Sequence, residues 1–161
     1  MRIIVPKSLG PRDWGEELQI TDSPLYLGKI LQMRAGARGG LQYHEAKDET
    51  FFLVTGEAWV ELDPTRSRAL TRYRMSAGMA FHIHPRDVHR VTAISDCTFF
   101  EVSTPHFDDR VRVEAQYDEP IDGGLPTTGN ILGPDSRANA LQYGVSCAHV
   151  AEPDAADPWA V

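Results

Sequence analysis

The feature that most restricts the fold of this chain is a repeated pattern of short apolar runs. These runs contain aromatic and β-branched residues, and clusters of Gly, Pro, Asp or Ser separate them about every ten positions. This spacing is typical of an all-β protein, since strands are short and end at turn-forming residues. No segment keeps apolar residues at the i, i+3, i+4 and i+7 positions of an amphipathic helix for long. The sequence therefore predicts an antiparallel β-sandwich or barrel, with strands at 2–5, 17–20, 25–34, 50–55, 57–63, 69–75, 80–84, 88–94, 97–103 and 110–113.

The length of 161 residues fits one domain, and the composition changes near its end. From Glu119 onward Pro, Gly, Ala and Asp dominate, and these residues favour turns over a core. We expect a β-barrel domain over 1–118 and an extension over 119–161. The extension is expected to pack on the barrel or on a partner subunit through its apolar residues, Ile131, Leu132, Leu141, Tyr143 and Trp159.

The charge balance bears on the partners of the protein. Sixteen Lys and Arg residues stand against 23 Asp and Glu, a net charge of −7, whereas a nucleic-acid-binding protein normally presents a basic face. No apolar run has the length of a signal peptide or a membrane span. These features predict a cytoplasmic protein that binds neither nucleic acid nor a membrane, and Cys97 and Cys147 are expected to be reduced thiols.

Four polar residues have a spacing that suits a metal site. Gln42 and His44 lie two apart, so on an extended chain they share one face. Glu49 follows a short connection, and His89 begins a later strand that a closed sheet brings alongside. Two imidazoles, one carboxylate and one amide oxygen suit Zn²⁺, Mn²⁺, Fe²⁺, Co²⁺ or Ni²⁺.

The glycines around these residues complete two motifs. The chain reads G-x5-Q-x-H-x4-E-x6-G from Gly36 to Gly56, and G-x5-H-P-R-x2-H from Gly78 to His89. This pair resembles the two signatures of the cupin superfamily, G-x5-H-x-H-x3,4-E-x6-G and G-x5-P-x-G-x2-H-x3-N. The resemblance implies a jelly-roll barrel that binds one divalent metal ion in its mouth and forms a homodimer. The chain departs from the signatures at four positions, Gln42, His84, Arg86 and Ala93.

The Q-x-H pair with its downstream Glu and His is similar to the zinc set of the phosphomannose isomerases. The segments "RDWGEE" (12–17), "LQYH" (41–44) and "EVSTPHFDDRVRVEAQY" (101–117) resemble other parts of that cupin barrel. The resemblance covers roughly 12–117 and implies isomerisation of a sugar or sugar phosphate, with Zn²⁺ as the expected ion and Mn²⁺, Fe²⁺ or Ni²⁺ as alternatives.

Such a reaction needs a base that moves a proton between neighbouring carbons. Glu101 lies among apolar neighbours on the predicted strand 97–103, so we expect it to be the base, although an ion pair with Arg112 would explain it equally well. Lys29 is a second candidate, because the strand around it alternates and can direct its side chain either inward or to solvent. Arg38 and Arg112 are candidates for binding an anionic group of the substrate.

Two other functions remain open from the sequence. With Fe²⁺ the same site suits a cupin dioxygenase, although the iron-dependent oxygenases usually resemble a three-histidine pattern. The second alternative is a non-catalytic barrel that binds a small molecule. His82 and His84 are interpreted as strand-end residues near the mouth, because their positions cannot place them with His89 across the turn at Pro85.

Overall fold

The computed structural model describes residues 3–21 and 23–119. Within them the chain forms eleven strands and a short 3₁₀ helix at Glu114–Tyr117. The strands are β1 Lys7–Arg12, β2 Gly15–Gln19, β3 Leu27–Met33, β4 Gln42–His44, β5 Glu49–Thr55, β6 Glu57–Asp63, β7 Thr71–Ser76, β8 Ala80–Ile83, β9 Val88–Ala93, β10 Cys97–Ser103 and β11 Arg110–Arg112.

Two antiparallel sheets enclose the core. One has the strand order β1-β2-β3-β10-β5-β8, and the other has the order β11-β4-β9-β6-β7. The main core lies between them, where Leu53 and Phe99 of the first sheet share a buried cluster with Val60 and Met75 of the second. This arrangement confirms the expected all-β jelly-roll barrel. The described part of the chain contains no helix with the length and hydropathy that a membrane crossing requires.

The strand bounds differ from the sequence prediction at the N-terminus and around Gln42. Residues 3–5 form no strand, and Ile3 is 85% exposed, whereas the less apolar segment Lys7–Arg12 pairs with β2. A neighbouring strand thus overrides the local preference of the chain. The three-residue strand β4 also lay outside the predicted strands, and its pairing with β9 and β11 explains how so short a segment is held extended.

The chain returns to the barrel after β11. Val113 forms a second small core with Leu41 and Val88, and Glu119 pairs with Arg38 and lies 3.4 Å from Arg90. The predicted extension lies outside the described residues apart from Glu119, and so does Cys147. Cys97 is a buried free thiol, as expected.

Candidate metal centre

A pocket of about 130 Å³ opens between the two sheets and contains most of the predicted site. Its wall includes the four predicted metal ligands and both candidates for proton transfer, Gln42, His44, Glu49, His89, Lys29 and Glu101. Apolar walls come from residues such as Phe51 and Phe99. This volume is below the roughly 300–1,000 Å³ of pockets for drug-sized ligands, so it suits a small molecule.

The topology brings the four predicted ligands together from both sheets. Gln42 and His89 are directly opposite each other on β4 and β9, and His44 lies two residues further along β4. Glu49 begins β5 in the other sheet, because the connection 45–48 crosses from one sheet to the other. Nitrogen or oxygen atoms of His44, Glu49 and His89 lie within 4.8 Å of one another, and all three residues are buried.

Hydrogen bonds orient both imidazoles. His44 Nδ1 lies 2.8 Å from Asp109 Oδ1, and His89 Nδ1 lies 2.9 Å from the carbonyl oxygen of Asp87. An ionised carboxylate and a carbonyl oxygen only accept, so each ring donates through Nδ1. In the neutral rings this leaves the Nε2 lone pairs directed into the pocket, where they can bind a metal ion.

Asp109 is ionised and held by three donors, so it fixes His44 firmly. Besides His44, the backbone N–H groups of Ala46 and Lys47 donate to its Oδ2 over 2.9 and 2.8 Å. Burial would raise the pKa of Asp109, but the hydrogen bond to His44 and these N–H groups lower it overall. Burial lowers the pKa of His44, which favours the neutral ring that a metal ion requires.

Glu49 provides the observation that tests whether a cation fits. Its Oε1 is buried and has no hydrogen-bond donor, although it lies 3.2 Å from His89 Nε2 and 3.8 Å from His44 Nε2. Three acceptor atoms thus face one another, an arrangement that is costly unless a cation lies between them. Burial would raise the pKa of Glu49, but the Lys47 ammonium holds it well below its usual range. The donor set therefore fits one divalent ion.

Gln42 completes the set at the edge of the cluster. Its amide Nε2 lies 3.4 Å from His44 Nε2, a contact in which the amide donates to the free lone pair of the ring. Rotation of the amide exchanges its nitrogen and oxygen, so the same side chain can present an oxygen ligand.

Lys47 is a functional residue that sequence reasoning missed, as is Asp109. Its side chain is buried, and Nζ lies 2.6 Å from both Glu49 Oε2 and Glu101 Oε1. Burial would lower the pKa of Lys47, but these two carboxylates raise it, so the side chain stays charged. Lys47 therefore joins the predicted metal ligand to the predicted base. A lysine in a short polar connection gives no local signal of burial, because its partner on β10 is 54 residues away.

A second chain of charges reaches Glu101 from the other side. Lys29 is directly opposite Glu101 on β3, and its Nζ lies 3.8 Å from Glu101 Oε2 and 2.7 Å from Glu17 Oε1. Glu17 Oε2 accepts from Arg12 over 2.8 Å. The sequence left the orientation of Lys29 open, and the structure directs it inward, with the residue only 4% exposed. Glu101 pairs with these lysines rather than with Arg112.

Arg38 and Arg112, predicted to bind an anion, lie outside the pocket wall. Arg38 pairs with Glu119, and Arg112 pairs with Glu114, whose carboxylate also accepts from the backbone of Leu41. Arg110 lines the pocket instead. It is directly opposite His44 in the β4–β11 ladder, so the two side chains share the inward face. Arg110 and Arg112 lie two apart on β11 and therefore share one face of the strand. Strand alternation alone could not predict which of the two reaches the pocket.

Comparisons with known proteins agree with this architecture. The family model described as cupin domain matches residues 29–103, which span β3 to β10. Among solved structures, the capsular polysaccharide assembling protein CapF from Staphylococcus aureus has 16% identity and a TM-score of 0.60 over 70% of this chain and 32% of that chain. This chain therefore spans about a third of the length of CapF. A search of curated proteins gave no match.

Two further structures have the same fold at low identity. KdgF from Halomonas sp. is 24% identical, with a TM-score of 0.50 over 58% of this chain and 81% of that chain. The cupin domain of Cnp3 from Schizosaccharomyces pombe is 14% identical, with a TM-score of 0.50 over 55% of this chain and 63% of that chain. At these identities the likeness establishes the fold alone.

Proposed function

We propose that this protein, whose residues 29–103 match the cupin domain family, is a metal-dependent enzyme that moves a proton within a small hydroxylated carbonyl compound. The reaction class that fits best is isomerisation of a sugar or sugar phosphate. The observation that carries this proposal is the buried Glu101 carboxylate, which faces the same pocket as the metal centre and is joined to Glu49 through Lys47.

Gln42, His44, Glu49 and His89 would hold the divalent ion, with Zn²⁺ expected first and Mn²⁺, Fe²⁺ or Ni²⁺ as alternatives. When bound, such an ion supplies a Lewis acid that polarises a carbonyl or hydroxyl oxygen. The protein contributes the orientation of its ligands through Asp109 and the backbone of Asp87, and the apolar wall at Phe51 and Phe99 limits water in the pocket.

Glu101 is proposed to take the proton from the carbon next to the carbonyl and return it to the neighbouring carbon. Its Oε1 accepts hydrogen bonds from Lys47 and, over 2.9 Å, from Ser103. Its Oε2 has the weaker contact, with Lys29 at 3.8 Å, and is the oxygen with room to accept a proton. Lys29 is proposed to orient this carboxylate.

The charges of the pocket wall support an anionic substrate such as a sugar phosphate or sugar acid. Five lysine and arginine side chains line it against three carboxylates, within a chain whose net charge is −7. Arg12 and Arg110 lie on this wall, and guanidinium groups bind phosphate and carboxylate in a bidentate manner. Burial lowers the pKa of Arg110, and repulsion from the neighbouring cations Arg112 and Arg12 lowers it further. A bound anion would offset this repulsion.

The test is proton exchange catalysed by the metal-loaded protein in deuterated water. Mannose 6-phosphate, fructose 6-phosphate, free sugars and sugar acids would be incubated with the protein, and deuterium entry next to the carbonyl followed by NMR. Exchange with a phosphorylated or acidic compound, lost in Glu101→Gln with the metal retained, supports the proposal. The amide is close in shape to the carboxylate but cannot take the proton.

Two other outcomes would point elsewhere. Substrate-dependent oxygen uptake by the iron-loaded protein, without exchange, would assign a dioxygenase. Binding of a sugar with neither exchange nor oxygen uptake would assign a non-catalytic binding protein. Both outcomes are interpreted for protein that retains its metal ion. The metal content of every sample is therefore measured.

We also propose that the protein forms a homodimer. The exposed apolar side chains Phe52, Val54 and Val102 lie on β5 and β10 of the six-stranded sheet, and burial of such a surface favours association. A monomer mass in sedimentation equilibrium would contradict this proposal.

A further inference from the structure

A second group of metal-binding side chains lies outside the pocket. Asp48 precedes β5, His82 is on β8, and His84 follows it. None of the three lines the pocket, and both histidines are exposed. The two groups differ in environment as well as position, because His44, Glu49 and His89 are all buried.

The β5–β8 ladder holds the three residues side by side. Glu49 is directly opposite Ile83, and Thr50 is directly opposite His82, so the next step of the ladder brings Asp48 opposite His84. His82 and His84 lie two apart on an extended segment and therefore share one face, opposite to that of the buried Ile83 between them. Pro85 follows and restricts the chain directly after His84.

The donor atoms converge on one point of this face. His82 Nε2 lies 3.0 Å from Asp48 Oδ1, and His84 Nδ1 lies 3.8 Å from Asp48 Oδ2. The two imidazole rings lie with their centroids 4.2 Å apart. One nitrogen from each ring and one carboxylate oxygen are all within 4.8 Å of one another, close enough for one ion to contact all three.

Two imidazoles and a carboxylate are the ligands that Zn²⁺ and its neighbours Ni²⁺ and Cu²⁺ prefer in proteins. From this convergence we propose that Asp48, His82 and His84 form a second, surface metal site for such a cation. The site keeps open positions for water, since only three protein ligands reach the ion. It binds more weakly than the buried centre, because the exposed side chains lose rotamer freedom when they are fixed.

The site would act on the segment that carries the buried centre. Asp48 is adjacent to Glu49, and the backbone N–H of Asp48 donates to Thr104 Oγ1 over 3.0 Å. A surface ion would thus join the end of β8 to the connection 45–48, which contains Lys47 and directly precedes Glu49. Its occupancy is expected to stabilise the loop that crosses between the two sheets.

Calorimetric titration of the metal-free full chain with Zn²⁺ tests this proposal. Wild-type protein is expected to show two binding steps, the tighter from the buried centre. The double variant His82→Ala/His84→Ala should lose the weaker step and keep the tighter one, whereas His44→Ala/His89→Ala should lose the tighter step and keep the weaker one. The two histidines of the surface site are exposed, and exposed positions tolerate replacement. The variant His82→Ala/His84→Ala is therefore expected to fold like wild type.

The carboxylate provides an independent variant with a matched control. Asp48→Asn should weaken the second step and abolish the thermal stabilisation that the second equivalent of Zn²⁺ confers. Glu45→Gln removes the same charge from an exposed position in the same connection and should change neither. A single step in wild type, or a second step unchanged in both His82→Ala/His84→Ala and Asp48→Asn, would overturn the proposal. Neither result would bear on the enzymatic activity.

Discussion

Lys47 donates a hydrogen bond to Glu101 over 2.6 Å inside the barrel. The same ammonium group is 2.6 Å from Glu49, whose other oxygen faces His44 and His89. A single cation therefore pairs with both the carboxylate proposed to transfer protons and the carboxylate proposed to bind the metal. Because both acids are buried, the position of each depends on this lysine.

Removal of Lys47 is expected to destabilise the protein strongly. Lys47→Met leaves two buried carboxylates without their shared cation, and breaking such a pair costs about 3–5 kcal/mol. Urea unfolding of the metal-free protein measures the loss. Arg74→Met is the control, since it breaks an exposed pair with Glu57 that is worth about 0–1 kcal/mol. Equal effects of the two variants would contradict the role of Lys47.

Asp109 is expected to control metal affinity without touching the ion. Asp109→Ala removes the acceptor that orients His44, and the loss of such a partner costs about 10–100-fold in affinity. Competition with a chromophoric chelator measures the dissociation constant. Asp96→Ala is a suitable control, because Asp96 also accepts a backbone N–H, that of Ala35, and lies outside the pocket wall. An affinity unchanged in Asp109→Ala would show that His44 needs no support.

Glu17 predicts how stability changes in acid. Burial would raise its pKa, but Lys29 and Arg12 lower it from 4.5 to about 2. A depressed carboxyl pKa contributes stability that is fully present above the unfolded-state value and is lost as the pH falls from about 4.5 towards 2. That contribution is on the order of 3 kcal/mol.

Glu17→Gln should therefore be less stable than wild type at neutral pH, and the difference should shrink as the pH falls below about 4.5. Urea unfolding as a function of pH measures this difference. Glu16→Gln removes an equal charge from the exposed neighbouring position. A difference between wild type and Glu17→Gln that stays constant over the acid range would contradict the prediction.

The strand pattern was sufficient for the fold, and the motif spacing was sufficient to select four residues that meet in the pocket. That Gln42, His44, Glu49 and His89 lie together could be predicted because two of them share a strand face and glycines mark the turns around the rest. The first strand could not be predicted. Its sequence KSLGPR contains both Gly and Pro, and only pairing with β2 makes it a strand.

The charged wall of the pocket was much harder to predict. Lys47 meets Glu101, and Arg12 meets Glu17 and Lys29, only after the sheets have formed. Arg38 and Arg112 have the right residue type, but they pair with Glu119 and Glu114 outside the pocket wall. Sequence spacing predicts which face of a strand a residue occupies, whereas ion pairs between distant strands decide which charges remain in the pocket.

Gln42 should affect the choice of metal more than metal binding itself. Gln42→His is expected to keep the ion, because His44, Glu49 and His89 remain and the new imidazole is also a ligand. A nitrogen in place of an amide oxygen favours Ni²⁺, Cu²⁺ or Zn²⁺ over Mn²⁺. Competition between Zn²⁺ and Mn²⁺ measures this shift. Loss of metal in Gln42→His would contradict it.

Metal content of the purified protein tests whether the pocket binds a divalent ion. The measurement would use protein carrying His82→Ala and His84→Ala, purified without chelator, so that the surface residues do not contribute. Elemental analysis is predicted to give one divalent ion per chain, and further replacement of His44 and His89 by Ala should remove it. Absence of a stoichiometric ion, or an ion that remains after both replacements, would contradict the assignment of these residues to a metal centre.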